Sequence, residues 1–230
     1  MVQTDNQLSD FLRYLANIPD ATDPRVPALS ELSKEIGLSV ATLREQLESA
    51  RMLGVVEVKP KAGIRKLSYD FCRAIKPGIQ YAVAAGSISF HDFADLRKHL
   101  EAAYFIEAVQ LLSISDVSVL ENLISTAQSK IASSPSQVPV EEHKQFHMFI
   151  YKKLQNPYLE GVLEAFWEVY HSSGFEVYPD SAYVERIWQY HSRIVEEIRE
   201  RRFSRGLSLL LEHMEMVAQR EKIIPRLSFE

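Results

Sequence analysis

From about residue 70 onward this 230-residue sequence offers nothing to a β-sheet. Apolar residues there recur every three to four positions instead of every two, which is the spacing of one helix face. The helical patterns cover roughly 70–85, 90–113, 116–133, 140–154, 157–172, 180–201 and 204–221. Breaks rich in serine, proline or glycine separate most of them, notably "SSPSQVP" at 133–139 and "YPDS" at 178–181. Each helix must bury its apolar stripe against another, so seven of them predict an all-α bundle.

The first 69 residues follow a different plan. Leu8, Phe11, Leu12 and Leu15 mark a short helix that fails near Pro19. After a loop holding Pro24 and Pro27, "ALSELSKEIG" puts Leu29, Leu32 and Ile36 on one face and stops at Gly37. A third helix starts at Ser39, a good N-cap, and runs to Gly54. "VVEVKPKAGIRKL" then gives a β-branched strand, a turn around Pro60 and Gly63, and a second strand. Helix, helix, short turn, helix and hairpin is the order of a winged helix-turn-helix. The expected architecture is therefore mainly α: a DNA-binding winged helix over 1–69 and a helical bundle over 70–230.

Charge is compatible with this division. The chain carries a net −5, but residues 25–66 hold eight Lys or Arg against five Asp or Glu, a local +3. Phosphate neutralisation needs such a local excess. One cysteine, Cys72, cannot form an internal disulfide. No run reaches membrane-spanning length and the N-terminal stretch lacks a leader pattern, so a cytoplasmic, non-membrane protein is expected.

In a helix-turn-helix the second helix of the pair enters the major groove with its first residues against the bases. Here these are Ser39, Val40, Ala41, Thr42 and Arg44. Arg44 suits a phosphate or a guanine, and Thr42 a phosphate or a thymine methyl. The wing adds Lys59, Lys61, Arg65 and Lys66 around Gly63. The segment from Pro27 to Gly63 resembles the winged helix-turn-helix of GntR-family transcription regulators, through Pro27, Glu31, Leu32, Gly37, Ser39, Thr42, Arg44, Glu45, Leu47, Gly54 and Gly63. That family usually has arginine where this chain has Ser30 and Val40, so only Arg44 remains of the trio that grips an operator.

Histidine placement carries the chemistry of the remainder. His143 and His147 share a face with Phe146, Ile150 and Leu154; His191 sits among Val184, Ile187, Trp188, Ile194, Val195 and Ile198; His213 follows Leu207 and Leu210 and precedes Met214 and Val217. One such histidine reads as a core residue with a hydrogen-bond partner. Four on three inward faces would each need a buried partner, and one shared metal ion satisfies them all. Two imidazoles one helical turn apart reach a single ion in helical zinc sites. His91, His99 and His171 lie off these stripes and carry no functional expectation.

The back half resembles the FCD domain of the FadR subgroup of GntR regulators. Many members carry Asp-x-x-Phe-His on one helix and one histidine on each of two later helices, and these hold a metal that in turn holds a small carboxylate effector. "HKQFH" at 143–147, His191 and His213 match, with His143 at the usual aspartate position. The resemblance thus implies the ligand set His143, His147, His191 and His213. An all-imidazole set leaves the ion its full charge and favours zinc or nickel over magnesium or manganese. Arg97 lies on the stripe of Phe93, Leu96, Leu100, Tyr104 and Ala108, and a buried guanidinium needs an anion. That anion is either Glu101, four residues on, or a bound carboxylate; "LRKHLE" matches the family pattern in which this arginine lines the effector pocket.

The expected function is a homodimeric regulator that binds double-stranded operator DNA and responds to a small carboxylate. Two other readings stand beside it. The histidines could activate water in a metalloenzyme, although Glu141 and Glu142 fall off the stripe of His143 and His147 and no general base accompanies the cluster, or the metal could itself be signal or structural staple.

Overall fold

The computed structural model describes residues 8–19, 25–87, 89–172 and 181–221, and the breaks expected at Pro24 and at 178–180 lie outside them. These residues part into two compact units, Met1–Pro77 and Gly78–Glu230.

In the first unit α1 (Asp10–Asn17), α2 (Leu29–Ile36) and α3 (Val40–Met52) pack with a small sheet of β1 (Arg25–Val26), β2 (Val56–Lys59) and β3 (Gly63–Lys66). Phe11, Leu15, Leu32, Leu43, Leu47 and Ala50 form its core with Val26, Val56 and Ile64 from the strands. Gly37 ends α2 in the left-handed conformation at φ 80°, where a side chain would be strained, so the N-cap of α3, Ser39, can follow two residues later. The Ser39 hydroxyl caps α3 by accepting the Thr42 N–H at 3.1 Å. The hairpin appears as expected, with Val58 opposite Ile64 and Lys59 opposite Gly63. A third strand was not expected. β1 adds antiparallel to β3, pairing Val26 with Ile64, and gives the order β1-β3-β2.

Among the described residues seven α-helices follow, as the periodicity predicts: α4 (Phe71–Ala84), α5 (Phe90–Gln110), α6 (Ile114–Ile131), α7 (Val140–Tyr151), α8 (Pro157–Ser172), α9 (Ser181–Arg199) and α10 (Phe203–Glu221). Capping boxes open two of them, Ser89 with Asp92 on α5 and Ser113 with Asp116 on α6. Phe105, Leu120, Phe146, Ile150, Leu163, Ile194 and Leu210 are among the side chains that fill the bundle. The chain is thus mainly α, a winged helix-turn-helix followed by a helical bundle. No helix among the described residues is long and apolar enough to cross a membrane.

The expected stripe of α5 needs correction. Leu96 is 47% exposed, whereas Phe93, Arg97, Glu101, Phe105 and Ala108 are buried. A polar pair therefore occupies the middle of the inward face, and an apolar count rotates the helix the wrong way there. Glu142 differs too. It was expected off the α7 stripe but is 7% exposed, because Lys130 on α6 reaches it at 2.6 Å.

Candidate functional site

Three helices bring the four histidines to one point. His143 and His147 lie one turn apart on α7, His191 is in the middle of α9, and His213 is on α10. Exposures are 6% for His143, 1% for His213 and 0% for the other two. One ring nitrogen from each lies within 4.8 Å of the others. The His191 Nε2 stands 3.3 Å from the His147 Nε2 and 3.2 Å from the His213 Nε2. Neutral imidazole has one N–H and one lone pair, so three nitrogens at such distances cannot all be satisfied by one another. Among the described residues the His143 Nε2 and the Nδ1 atoms of His191 and His213 have no hydrogen-bond partner. A tetrahedral ion with bonds of about 2.0–2.1 Å holds its nitrogen donors roughly 3.3–3.4 Å apart, so the spacing of the closest nitrogens fits one.

Burial keeps these imidazoles in the form that binds metal. It pushes His143, His191 and His213 well below the ordinary histidine range, and the neighbouring imidazoles and the Arg97 charge push in the same direction. His147 is also lowered by burial, although the Glu101 carboxylate opposes the shift. All four are therefore neutral at physiological pH.

Against the cluster lies an ion-paired group from α5. The Arg97 Nε donates to the Glu101 Oε1 at 2.6 Å, and the His147 Nδ1 lies 2.7 Å from the Glu101 Oε2. Burial alone would raise the Glu101 carboxyl, but the Arg97 charge and the hydrogen bonds from His147 and Arg97 overcome it and hold it down at about 2. The Tyr151 hydroxyl donates to the Glu101 carbonyl at 3.0 Å. The Arg97 guanidinium lies over Phe166 at 4.6 Å and Trp167 at 4.4 Å, yet its Nη2 is buried with no hydrogen-bond partner among the described residues. Both anionic partners considered for Arg97 thus keep a place: Glu101 takes the Nε–H, and the Nη2 amino group is left over among the described residues. Beside His143 a cavity of about 10 Å³, room for roughly one water, is lined by Val140, Trp167, Tyr170, Ile187 and Trp188 among others.

In the winged unit, Ser39 and Arg44 are exposed at the start of α3, while Val40 and Thr42 are half-buried. Lys59, Lys61 and Gly63 are exposed on the wing and Arg65 is half-buried. Glu57 reaches Lys59 at 3.1 Å and Arg65 at 3.7 Å, and the Lys66 Nζ donates to the Ile18 carbonyl at 2.6 Å. Among the described residues no carboxylate pairs with Arg44 or Lys61. The local excess of cations is thus concentrated at the helix start and the wing tip.

Sequence reasoning missed the bond from Glu101 to His147. The signal available was the position of Glu101 four residues after Arg97, which puts both on the same buried face.

Residues 92–216 match the model of the FCD domain. No curated protein matches the chain in sequence. Among solved structures it is similar to the GntR of Streptococcus agalactiae, with a TM-score of 0.68 and 16% identity over 91% of this chain and 96% of that one. It also aligns with McbR/YncC of E. coli at 0.46 and 16% identity, over 87% of each chain. A GntR family member from Pseudomonas syringae pv. tomato gives 0.44 and 16% identity, over 88% of this chain and 81% of that one.

Proposed function

Because the chain belongs to the FCD-domain family, on the two-domain fold of a GntR regulator, we propose that it is a homodimeric transcription regulator whose helical unit binds a transition metal and a small carboxylate. It is a regulator and not an enzyme, so the metalloenzyme reading is set aside on family membership. The observation that carries the proposal is the convergence of four buried neutral imidazoles beside a guanidinium with an unused N–H.

His143, His147, His191 and His213 would hold the ion, and zinc or nickel suits an all-nitrogen donor set. The ion supplies a positive charge to which an anionic group can be drawn. Arg97, stacked on Phe166 and Trp167, would hold the carboxylate through its Nη2. The cavity beside His143 is too small for a metabolite, so binding requires α7, α8 and α9 to move apart locally. A ligand that favours the opened bundle shifts the population toward it, and the DNA-reading units respond to that shift. Two copies related by a two-fold axis would match a pseudo-palindromic operator.

A thermal-shift screen of small mono- and dicarboxylates, run on zinc-loaded and metal-free protein, tests the reading. A carboxylate that raises the melting midpoint only in the loaded protein supports it; no response to any carboxylate in either form sinks it.

Three substitutions refine the picture. His143→Asp introduces the aspartate that the family resemblance expects and adds a hard, anionic donor. Its manganese-to-zinc occupancy after exposure to equal amounts of both metals should exceed the wild-type ratio by about tenfold. On an operator selected from random duplexes, Arg44→Ala is expected to weaken binding by about 10- to 100-fold. Lys61→Ala should instead lower the dependence of log affinity on log salt by about one. Gel-shift titrations at several salt concentrations read both.

A further inference from the structure

Glu101 is buried to 0% exposure and divides its two oxygens between different helices. Oε1 accepts from the Arg97 Nε on its own helix and Oε2 meets the His147 Nδ1 on α7. A carboxylate whose only task was to neutralise Arg97 would face the guanidinium with both oxygens, since the fork matches two parallel bonds. Here the second oxygen is turned to His147 instead, and among the described residues the guanidinium Nη2 stays unpaired in the interior. Leaving a buried donor unpaired is unfavourable, so the divided geometry needs a compensating use.

We propose that Glu101 is a positioning residue that builds both grips of the site, fixing which nitrogen of His147 faces the cluster and presenting the unused N–H of Arg97 to a ligand. The inference rests on the metal-and-carboxylate reading above. An ionised carboxylate only accepts hydrogen bonds, so the His147 nitrogen beside it carries the proton. Nε2 of that ring is then left with its lone pair, and it is this atom that stands 3.3 Å from the His191 Nε2. The placement is braced one turn further along α7, where the Tyr151 hydroxyl donates to the Glu101 carbonyl. Glu142, next to His143 in sequence, meets Lys130 through its Oε1, and its Oε2 bonds none of the four histidines. Metal-binding histidines commonly donate their second nitrogen to a carboxylate, which orients the ring and strengthens the donor.

The replacement Glu101→Gln keeps the shape and removes the charge. The Gln carbonyl should stay with the stronger donor, Arg97, which turns the amide NH₂ toward His147 and forces its Nδ1 to accept. The experiment follows histidine ¹⁵N shifts in metal-free full-length protein and zinc affinity by chelator competition. Wild type is expected to show His147 protonated at Nδ1, and the variant at Nε2. Zinc affinity should fall by about 10- to 100-fold in the variant. His147 protonated at Nε2 in wild type overturns the proposal outright, and that reading needs no variant to fold. A folded variant with the wild-type tautomer and zinc affinity within about twofold of wild type also overturns it, leaving Glu101 as a counter-ion. Should wild type take up no zinc, the metal reading falls, while the tautomer measurement still decides the role of Glu101.

Discussion

Protein purified without chelator is expected to carry about one transition-metal ion per chain, and His147→Ala to carry essentially none. Apparent binding energies for structural zinc sites are of order 10–16 kcal/mol across four donors, so losing one donor removes roughly 3 kcal/mol and weakens affinity at least about 100-fold. His147 contributes more than an average share. Its Nε2 is among the nitrogens that stand at donor spacing, and its ring is the one oriented by a carboxylate. Alanine there also opens a hole in the bundle and takes a hydrogen bond from Glu101. His213→Asn, which leaves that bond intact, is therefore the companion variant. Mass spectrometry of the bound metal reads all three proteins. A wild type that is folded and metal-free would sink the site, leaving four core imidazoles organised around the bond from His147 to Glu101.

How far this site could be read from the sequence depended on how evenly each helix is patterned. On α9 the expected stripe of Val184, Ile187, Trp188, His191, Ile194, Val195 and Ile198 is buried throughout. One polar residue among six apolar ones cannot shift the apparent face, so the inward aim of His191 was legible. The same holds for His143 and His147 beside Phe146 and Ile150. On α5 the face was misjudged, because Arg97 and Glu101 occupy two of its central positions and Leu96 points outward at 47% exposure. An ion pair that is satisfied internally looks like a solvated face when only hydropathy is counted.

Tertiary contacts were the other blind spot. Nothing local marks β1, whose two residues lie between Pro24 and Pro27 and become a strand only by pairing with β3. The bond from His147 to Glu101 joins residues 46 apart, and the Lys130 to Glu142 pair joins two helices across a serine-rich break. Periodicity reports which face of a helix turns inward. It carries no information on which neighbour that face meets, so four converging histidines could be anticipated while their orienting carboxylate could not.

Arg97→Leu is expected to be the most destabilising single change at this site. The guanidinium is 6% exposed, is bonded to Glu101 and lies against two aromatic rings. Leucine fills much of the stem's volume but leaves Glu101 charged in the interior with only the His147 N–H as partner. Removing one member of a buried ion pair typically costs about 3–5 kcal/mol, because the remaining charge loses its compensation. For a unit of this size that lowers the melting midpoint by roughly 10 °C. Arg97→Lys keeps the positive charge and loses the fork, so its midpoint should fall by less while its response to carboxylates disappears. The pair of variants therefore separates the two duties of the arginine. Calorimetry of Arg97→Leu that finds a midpoint within about 2 °C of wild type would mean that Glu101 is not relying on the guanidinium. A carboxylate response that survives in Arg97→Lys would mean that the anion is held by the metal alone.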